Sequence, residues 1–465
     1  PQAPPLLTIN IPLGLQMGAN PGAIQLEGKG HNLDFSESSP FIGGGKTQTG
    51  LRVGFGKTLA IVGGDILLRG GILSAPSGRI ELGSMDALET VSFDATNSSW
   101  ILGYQNVEKF RDINLLSRAL LDTSGLGGGN IQLTARNINL SDSSVSLMQN
   151  FGPKPSGNTN IYASESLTLK TDAANMNPVI ITETLRSGSG GNIAIDTKKL
   201  SLQDGASIVT RSWNQGKSGN ITVDASNVEL DGVTILDPSS FYRSTISTIN
   251  FGSGNGGDVT ISTKQFTVSN GGIVASSTFG SGAGGNITID ATDSVKLEGY
   301  EPRLSIYSNI TSSSLNAGNA GNLNINTNSL IVRDGASINA GTVASGNAGS
   351  VTINAKEFVE VTGQIGQASL SSSNISSSAV SLQPFLQKRF GLQNIVTGNG
   401  GNVTINTPNL RLTDDALITV RNTGTGNGGT VEINSRSLFL DKGEISAATA
   451  KGEGGNISLQ ADTLQ

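Results

Sequence analysis

A repeated line of about 28 residues is the feature that most constrains this chain. Residues 190–210 read GGNIAIDTKKLSLQDGASIVT, and residues 318–342 read GNAGNLNINTNSLIVRDGASINAGT. Each copy gives a Gly-rich turn, an Asn, two alternating runs and Asp-Gly-Ala. The residue after the turn recurs at spacings of 28, 34, 28, 38, 28, 36, 28, 52, 28 and 26. These positions are Asn130, Asn158, Asn192, Asn220, Asp258, Asn286, Asn322, Ser350, Asn402, Thr430 and Asn456. A fixed period of this size indicates a solenoid.

Apolar residues inside each unit follow a period of two. Ile193 and Ile195 alternate with polar residues, and Leu200 and Leu202 do the same. Alternate side chains of a strand face opposite ways, so these residues share one side. One coil cannot bury that side alone, whereas stacked coils form a continuous core. The sequence therefore predicts an all-β chain, a single-stranded parallel β-helix with three short strands per coil. Short and long units alternate, which indicates a larger repeating unit made of two coils.

Two kinds of corner are expected in each coil. We expect the Gly-Gly pairs to supply positive φ at one corner, and Asp204-Gly205, Asp231-Gly232 and Asp334-Gly335 to form another. Stacked coils would place the recurring Asn side chains above one another. Their amides could then hydrogen-bond to each other in a buried ladder along the axis. The predicted ladder residues are Asn130, Asn192, Asn220, Asn286, Asn322, Asn402 and Asn456.

Composition argues against several classes of function. The net charge is −6 without a long basic run, which does not suit nucleic-acid binding. The chain has no run of 18 apolar residues, so a membrane-spanning helix is not predicted. With no Cys and a single His31, neither a zinc site nor a Ser-His-Asp site is expected. Asp414 and Asp415 are adjacent and indicate a turn, and we find no repeated Asp at outward strand positions. No catalytic residue, metal site or cofactor is predicted.

Insertions interrupt the repeat at three places. We predict an N-terminal β segment at 1–83, an irregular or partly helical insertion at 84–126 (with VEKFRDINLLSRALLD), and repeats over 127–465. Further insertions fall near 235–246 and 363–398. The last two concentrate scarce aromatic and cationic residues, which suits contacts with a partner, the alternative being packing over the solenoid itself. The candidate contact residues are Phe241, Tyr242, Arg243, Phe385, Lys388, Arg389 and Phe390.

Residues 57–83, KTLAIVGGDILLRGGILSAPSGRIELG, resemble the end of the secretion domain of filamentous-haemagglutinin-like exoproteins. Residues 1–35 resemble the segment leading into it in cyanobacterial members, and the repeats from 127 resemble the family's passenger repeats. The resemblance implies a right-handed parallel β-helix, export by a two-partner-secretion transporter in the outer membrane, and a role in adhesion, aggregation or biofilm. Of the family's Asn-Pro-Asn motifs only Asn20-Pro21-Gly22 is similar, so we expect the transporter's signal upstream of Pro1.

Two functions from different classes fit these features. The first is a secreted, non-enzymatic structural or adhesive rod at the cell surface. Such a rod could associate end to end through its open sheet edges and contact surface carbohydrate or other cells. The alternative is a polysaccharide-active β-helix enzyme, a lyase or hydrolase. Outward Asp, Lys or Arg on adjacent coils beside a groove would favour the enzyme.

Overall fold

The computed structural model describes residues 13–36, 39–42, 49–95, 100–171, 177–237, 240–363, 372–381, 387–388 and 395–465. These residues form two long parallel sheets and four small antiparallel ones, with one helical turn at 387–388. The parallel β-helix predicted from the repeat is therefore confirmed. No helix in the described ranges has the length and apolar character needed to span a membrane.

The first long sheet contains one long strand from each regular coil. Its strands are β2 (Ile24–Glu27), β6 (Thr58–Gly63), β7 (Ile66–Arg69), β9 (Arg79–Ser84), β12 (Ile113–Leu116), β14 (Asn130–Leu140), β16 (Thr159–Lys170), β18 (Ile193–Gln203), β20 (Ile221–Asp231), β24 (Val259–Ser269), β26 (Ile287–Glu298), β30 (Leu323–Arg333), β32 (Val351–Thr362), β34 (Val403–Thr413), β36 (Val431–Asp441) and β38 (Ile457–Leu464). Two early coils contribute two short strands each, β6 with β7 and β9 with β12.

The second long sheet runs beside the first. Its strands are β5 (Leu51–Arg52), β8 (Ile72–Ser74), β13 (Leu120–Asp122), β15 (Val145–Asn150), β17 (Val179–Thr184), β19 (Ser207–Ser212), β23 (Thr245–Asn250), β25 (Ile273–Thr278), β29 (Asn309–Ser314), β31 (Ser337–Thr342), β33 (Asn374–Ser376), β35 (Leu417–Asn422) and β37 (Glu444–Thr449). The small sheets consist of β1 (Gly14–Gln16) with β10 (Thr90–Ala95) and β11 (Trp100–Gly103), and of the pairs β3 (Asp34–Ser36) with β4 (Ser39–Ile42), β21 (Val233–Asp237) with β22 (Ser240–Arg243), and β27 (Tyr300–Glu301) with β28 (Ile306–Tyr307).

The first two short strands predicted for each coil are joined into one long strand, as in β16 and β18. In β18 the alternation of buried and exposed residues breaks at Lys198 and Lys199, which are both exposed. Two consecutive outward side chains mean that the strand turns a corner there. Several neighbouring pairs also shift register at this place, for example between Ala291 and Ser294. Each coil thus keeps three straight segments, the first two joined by a bend.

One apolar core runs along the axis. It extends from Leu59 to Leu438 without a break and contains the predicted residues Ile193, Ile195 and Leu200. Neighbouring coils align equivalent residues, as in the pairing of Ile193 with Ile221. Stacking therefore removes from water the apolar side that a single coil would expose, which is the main stabilising contribution.

The Gly-Gly corner differs from our expectation. Positive φ occurs at the Asp-Gly corner, at Asp204 and Gly205 for example, and not at the Gly-Gly pairs that precede the corner Asn. The second Gly of each pair is instead packed against the carbonyl group of the coil before it: a Cβ on Gly257 would overlap the oxygen of Gly219. Interior hydroxyls hold this corner, since Thr210 Oγ1 donates to Gly219 O at 2.7 Å. Glycine is required here by close approach of two backbones.

The alternation of short and long units also has a structural cause. In alternate coils an insertion ends in a buried Ser whose Oγ accepts the N–H of the Gly in the preceding Asp-Gly or Asn-Gly corner. The Oγ of Ser244 accepts the N–H of Gly205 at 3.1 Å. In the same way Ser308 accepts from Gly271 at 3.1 Å, and Ser373 accepts from Gly335 at 3.0 Å. One such serine occurs in each of these pairs of coils. Each of these two-coil units is therefore closed by one corner-capping hydroxyl.

Residues 84–126 contain strands in their described part (84–95 and 100–126), whereas the sequence predicts an irregular or partly helical insertion. β10 and β11 pair antiparallel outside the solenoid. Ile113 and Leu115 point into the core and pair with Ile66 and Leu68 of the preceding coil. The run with helical character in the sequence is thus another coil, because its apolar residues have the spacing of a strand.

Candidate functional site

The recurring corner Asn residues form a ladder with a different hydrogen-bond pattern from the one expected. Each side-chain Oδ1 accepts the backbone N–H of the equivalent residue in the next coil. Examples are Asn192 to Asn220 N at 2.9 Å and Asn286 to Asn322 N at 2.9 Å. Asn402 binds Thr430 N at 2.9 Å in the same way. The side chains lie at the exposed edge of the corner, so burial of their amides is not the reason for their recurrence.

The predicted ladder residues fall into two groups, and other residues continue their column. Asn130, Asn192, Asn220, Asn286, Asn322 and Asn402 all accept such a bond. Asn158 and Asp258 continue the same column. Asn456 lies in the exposed last coil.

An amide-to-amide ladder does exist, but on a neighbouring column that the sequence analysis missed. Asn354 Nδ2 donates to Asn326 Oδ1 at 2.8 Å, Asn406 to Asn354 at 2.8 Å, and Asn434 to Asn406 at 2.9 Å. Asn326, the first Asn of this ladder, donates from its Nδ2 to Asp290 Oδ1 at 2.7 Å. The available signal was an Asn four positions after the corner residue in successive repeats. We call this the outer amide ladder.

Phe241, Tyr242 and Arg243 lie in the β21–β22 hairpin. Arg243 donates to the carbonyl oxygens of Gly271 (2.6 Å), Gly272 (3.1 Å) and Tyr307 (2.6 Å). A Cβ on Gly205 would touch Tyr242, so that residue packs over the Asp-Gly corner. These contacts give the cluster a role in joining neighbouring insertions. Of the second cluster, Lys388 lies on the helical turn, whereas Phe385, Arg389 and Phe390 fall outside the described residues.

A column of aromatic rings follows the second sheet. Trp213 and Phe251 stack with ring centroids 4.1 Å apart and an interplanar angle of 5°, and Phe251 stacks on Phe279 at 5.0 Å and 17°. Rings stacked along the axis cover each other's faces and leave mainly their edges toward solvent. This column therefore stabilises coil stacking and is poorly shaped to receive a planar ligand.

Outward carboxylates are present on adjacent coils, contrary to our sequence analysis. Asp196 of β18 pairs in register with Asp224 of β20, and Tyr162 of β16 precedes them in the same column. Partial burial, and then the negative charge of Asp224, raise the pKa of Asp196. A groove of about 280 Å³ lies over this column. A carboxylate, an aromatic ring and amides beside a groove form an arrangement that suits a ligand.

Other candidate groups have structural roles. Asp414 and Asp415 both have positive φ and sit in the corner, as the turn interpretation predicts. His31 is fully buried: its Nε2 lies 2.8 Å from the carbonyl oxygen of Ser143, and its Nδ1 accepts the Leu33 N–H at 3.2 Å. Across the described ranges, no three His, Asp or Glu side chains are grouped as metal ligands.

His31 should make stability depend on pH. Burial lowers its pKa from 6.5 to about 4. Below pH 6.5 the imidazole of His31 is therefore protonated in the unfolded chain but stays neutral in the folded protein. The free energy of unfolding is highest above pH 6.5 and falls as the pH drops toward 4. The loss is about 3 kcal/mol. Urea denaturation at pH 7.5 and 4.5 should show most of this loss in the native protein and a much smaller one in His31→Gln. Equal losses would contradict the assignment.

Comparison with known proteins gives one match. Residues 2–133 match the family model described as the TPS secretion domain. This range contains the resembling segment 57–83 and the strands up to the start of β14. No curated protein and no solved structure matches the chain.

Proposed function

With a TPS secretion domain at residues 2–133, the chain is a secreted two-partner secretion exoprotein, and we propose that it acts outside the cell as a stiff, non-enzymatic rod in adhesion, aggregation or biofilm matrix. The domain implies export through an outer-membrane transporter. The proposal rests above all on the uninterrupted core. At about 4.8 Å per coil, the 14 successive strands of the first sheet give a rod roughly 60 Å long.

Mechanical stiffness is the physical basis of the proposed role. Backbone ladders, the corner Asn column and the outer amide ladder all run along the axis. Bending or stretching the rod would have to break many of these bonds together. A rod of this kind suits a stalk or a matrix fibre better than an enzyme that must close around a substrate.

End-to-end association is the second part of the proposal. Ile457 and Leu459 of β38 continue the core columns, in register with the buried Val431 and Ile433. In a parallel stack such a strand can pair with one further coil through backbone hydrogen bonds and apolar contacts, and a second copy of the chain could supply that coil.

Negative-stain electron microscopy at several protein concentrations tests this association. We expect filaments that lengthen with concentration. Ile457→Lys/Leu459→Lys should leave short rods, because it places charge in the covered core. Ser458→Lys/Gln460→Lys adds the same charge on the outward side of the same strand and should still form filaments. Short rods at every concentration in the native chain would overturn the association, though not the rod itself.

A polysaccharide-active enzyme is the second candidate, favoured by Asp196, which lines a groove, and by Asp224, which follows it in the same column. Two carboxylates on adjacent coils could serve as acid and base, and the raised pKa of Asp196 suits the acid. If the chain is such an enzyme, incubation with a polysaccharide should release new chain ends, and Asp196→Asn should abolish that release. Binding without any release supports the non-enzymatic proposal.

A further inference from the structure

The groove over Tyr162 and Asp196 is formed by two adjacent outward columns of the first sheet. One column contains Gln132, Asn160, Ala194 and Thr222 in successive coils. In this column the small Ala194 follows the larger amide side chains of Gln132 and Asn160, so the surface is lower at Ala194. The groove therefore runs along the axis over about four coils, from the end of the TPS secretion domain into the repeats.

Tyr162 supplies an aromatic surface held in a defined orientation. Tyr162 is 40% exposed. Its ring packs edge-to-face with the ring of Phe110, with centroids 5.5 Å apart and an interplanar angle of 66°. Phe110 is buried, at 8% exposure, and anchors this contact. A ring fixed before binding loses little conformational entropy when a ligand stacks on it.

Polar groups in this groove are left open, unlike their counterparts further along the same column. From Asp290 onward the equivalent side chains bond to one another in the outer amide ladder. Within the described residues, neither Asp196 nor Asp224 has an ion-pair partner or a side-chain hydrogen bond. Gln132 is oriented by Arg79, whose Nη2 donates to Gln132 Oε1 at 2.8 Å, which leaves the Gln132 amide N–H groups for a ligand.

We propose that this groove binds an uncharged oligosaccharide lying along the rod axis, with Tyr162 stacking on a sugar ring and Asp196, Asn160 and Gln132 hydrogen-bonding to hydroxyl groups. The identification rests on the proposed adhesive function and names its ligand class. Side chains repeating about every 4.8 Å along the groove can meet successive sugars of an extended chain. The two carboxylates would repel acidic sugars, so charge complementarity excludes a polyuronate.

Isothermal titration calorimetry with four hexaoses tests the proposal: those of glucose, mannose, N-acetylglucosamine and galacturonate. We expect at least one uncharged hexaose to bind and the galacturonate hexaose not to bind. Tyr162→Ala should weaken binding by at least about tenfold. Asp196→Asn/Asp224→Asn should allow the acidic hexaose to bind, because it removes the repulsion.

A matched control is Phe439→Ala, which removes an outward ring of the same sheet that is covered by Arg411, 4.6 Å from its centroid. Binding by that variant should equal the native value. The proposal is overturned if no uncharged hexaose binds, or if Tyr162→Ala binds as well as the native protein. Circular dichroism and electron microscopy on the same samples keep the two proposals separate, since intact rods without binding would refute the groove alone.

Discussion

Arg211→Met is expected to destabilise the protein by about 3–5 kcal/mol. Arg211 is 2% exposed, and its Nη1 lies 3.5 Å from Oε1 of Glu183, whose side chain is fully buried. Gln149 Nε2 donates to the other carboxylate oxygen at 2.6 Å. Removing the guanidinium would take away the cation that lies beside this buried carboxylate.

A double-mutant cycle in urea at pH 7 measures this coupling. Glu183→Gln/Arg211→Met should recover most of the loss, because neither charge then remains buried. Lys198→Met is the control: it breaks an exposed pair of 2.7 Å with Glu165 and should cost less than about 1 kcal/mol. A loss for Arg211→Met no larger than that of the control would show that the buried pair is not coupled.

Gly285→Ala should cost at least about 3 kcal/mol. A Cβ at Gly285 would overlap the carbonyl oxygen and carbon of Gly257, and the Gly257 carbonyl is itself fixed by Thr248 Oγ1 at 2.7 Å. The two coils could accommodate the methyl group only by separating. Because each coil contacts only its neighbours, the damage should divide the rod into two weakly coupled halves.

Limited proteolysis and urea denaturation test this prediction together. The variant should be cut near residue 285 under conditions that leave the native chain intact, and its unfolding midpoint should fall. Gly454→Ala is the control, since a Cβ there meets nothing within 4 Å. Midpoints that agree between the two variants would mean that close backbone approach does not require glycine.

Much of the coil could be predicted from the sequence. The alternation of Ile193 and Ile195 indicated the inward face, and Asp204-Gly205 indicated a corner, because both depend on neighbouring residues only. The role of the Gly-Gly pairs was misjudged, since their constraint comes from the carbonyl of another coil. The strands in 84–126 were missed for a similar reason: their partners lie in an earlier coil, as the pairing of Ile113 with Ile66 shows.

The groove depends even more on tertiary structure. Tyr162, Asp196 and Asp224 come from three successive coils of unequal length, and only the register of the coils places them in one column. Phe110, which orients Tyr162, comes from a segment before the regular repeats. Adding or removing one residue within an insertion leaves this register unchanged. The number of residues between two side chains therefore does not reveal whether they meet.

The repeating coil, its apolar side and the need to stack could all be deduced from the amino-acid sequence, because they follow from residue periodicity and from turn chemistry within one unit. Which side chains of different coils meet is a property of the tertiary structure alone. It sets Arg243 against the carbonyl of Tyr307, His31 against Ser143, and Arg211 against Glu183. The physical reason is that stacking aligns coils through backbone hydrogen bonds and core packing, while insertions of variable length change the distance along the chain between the residues that touch.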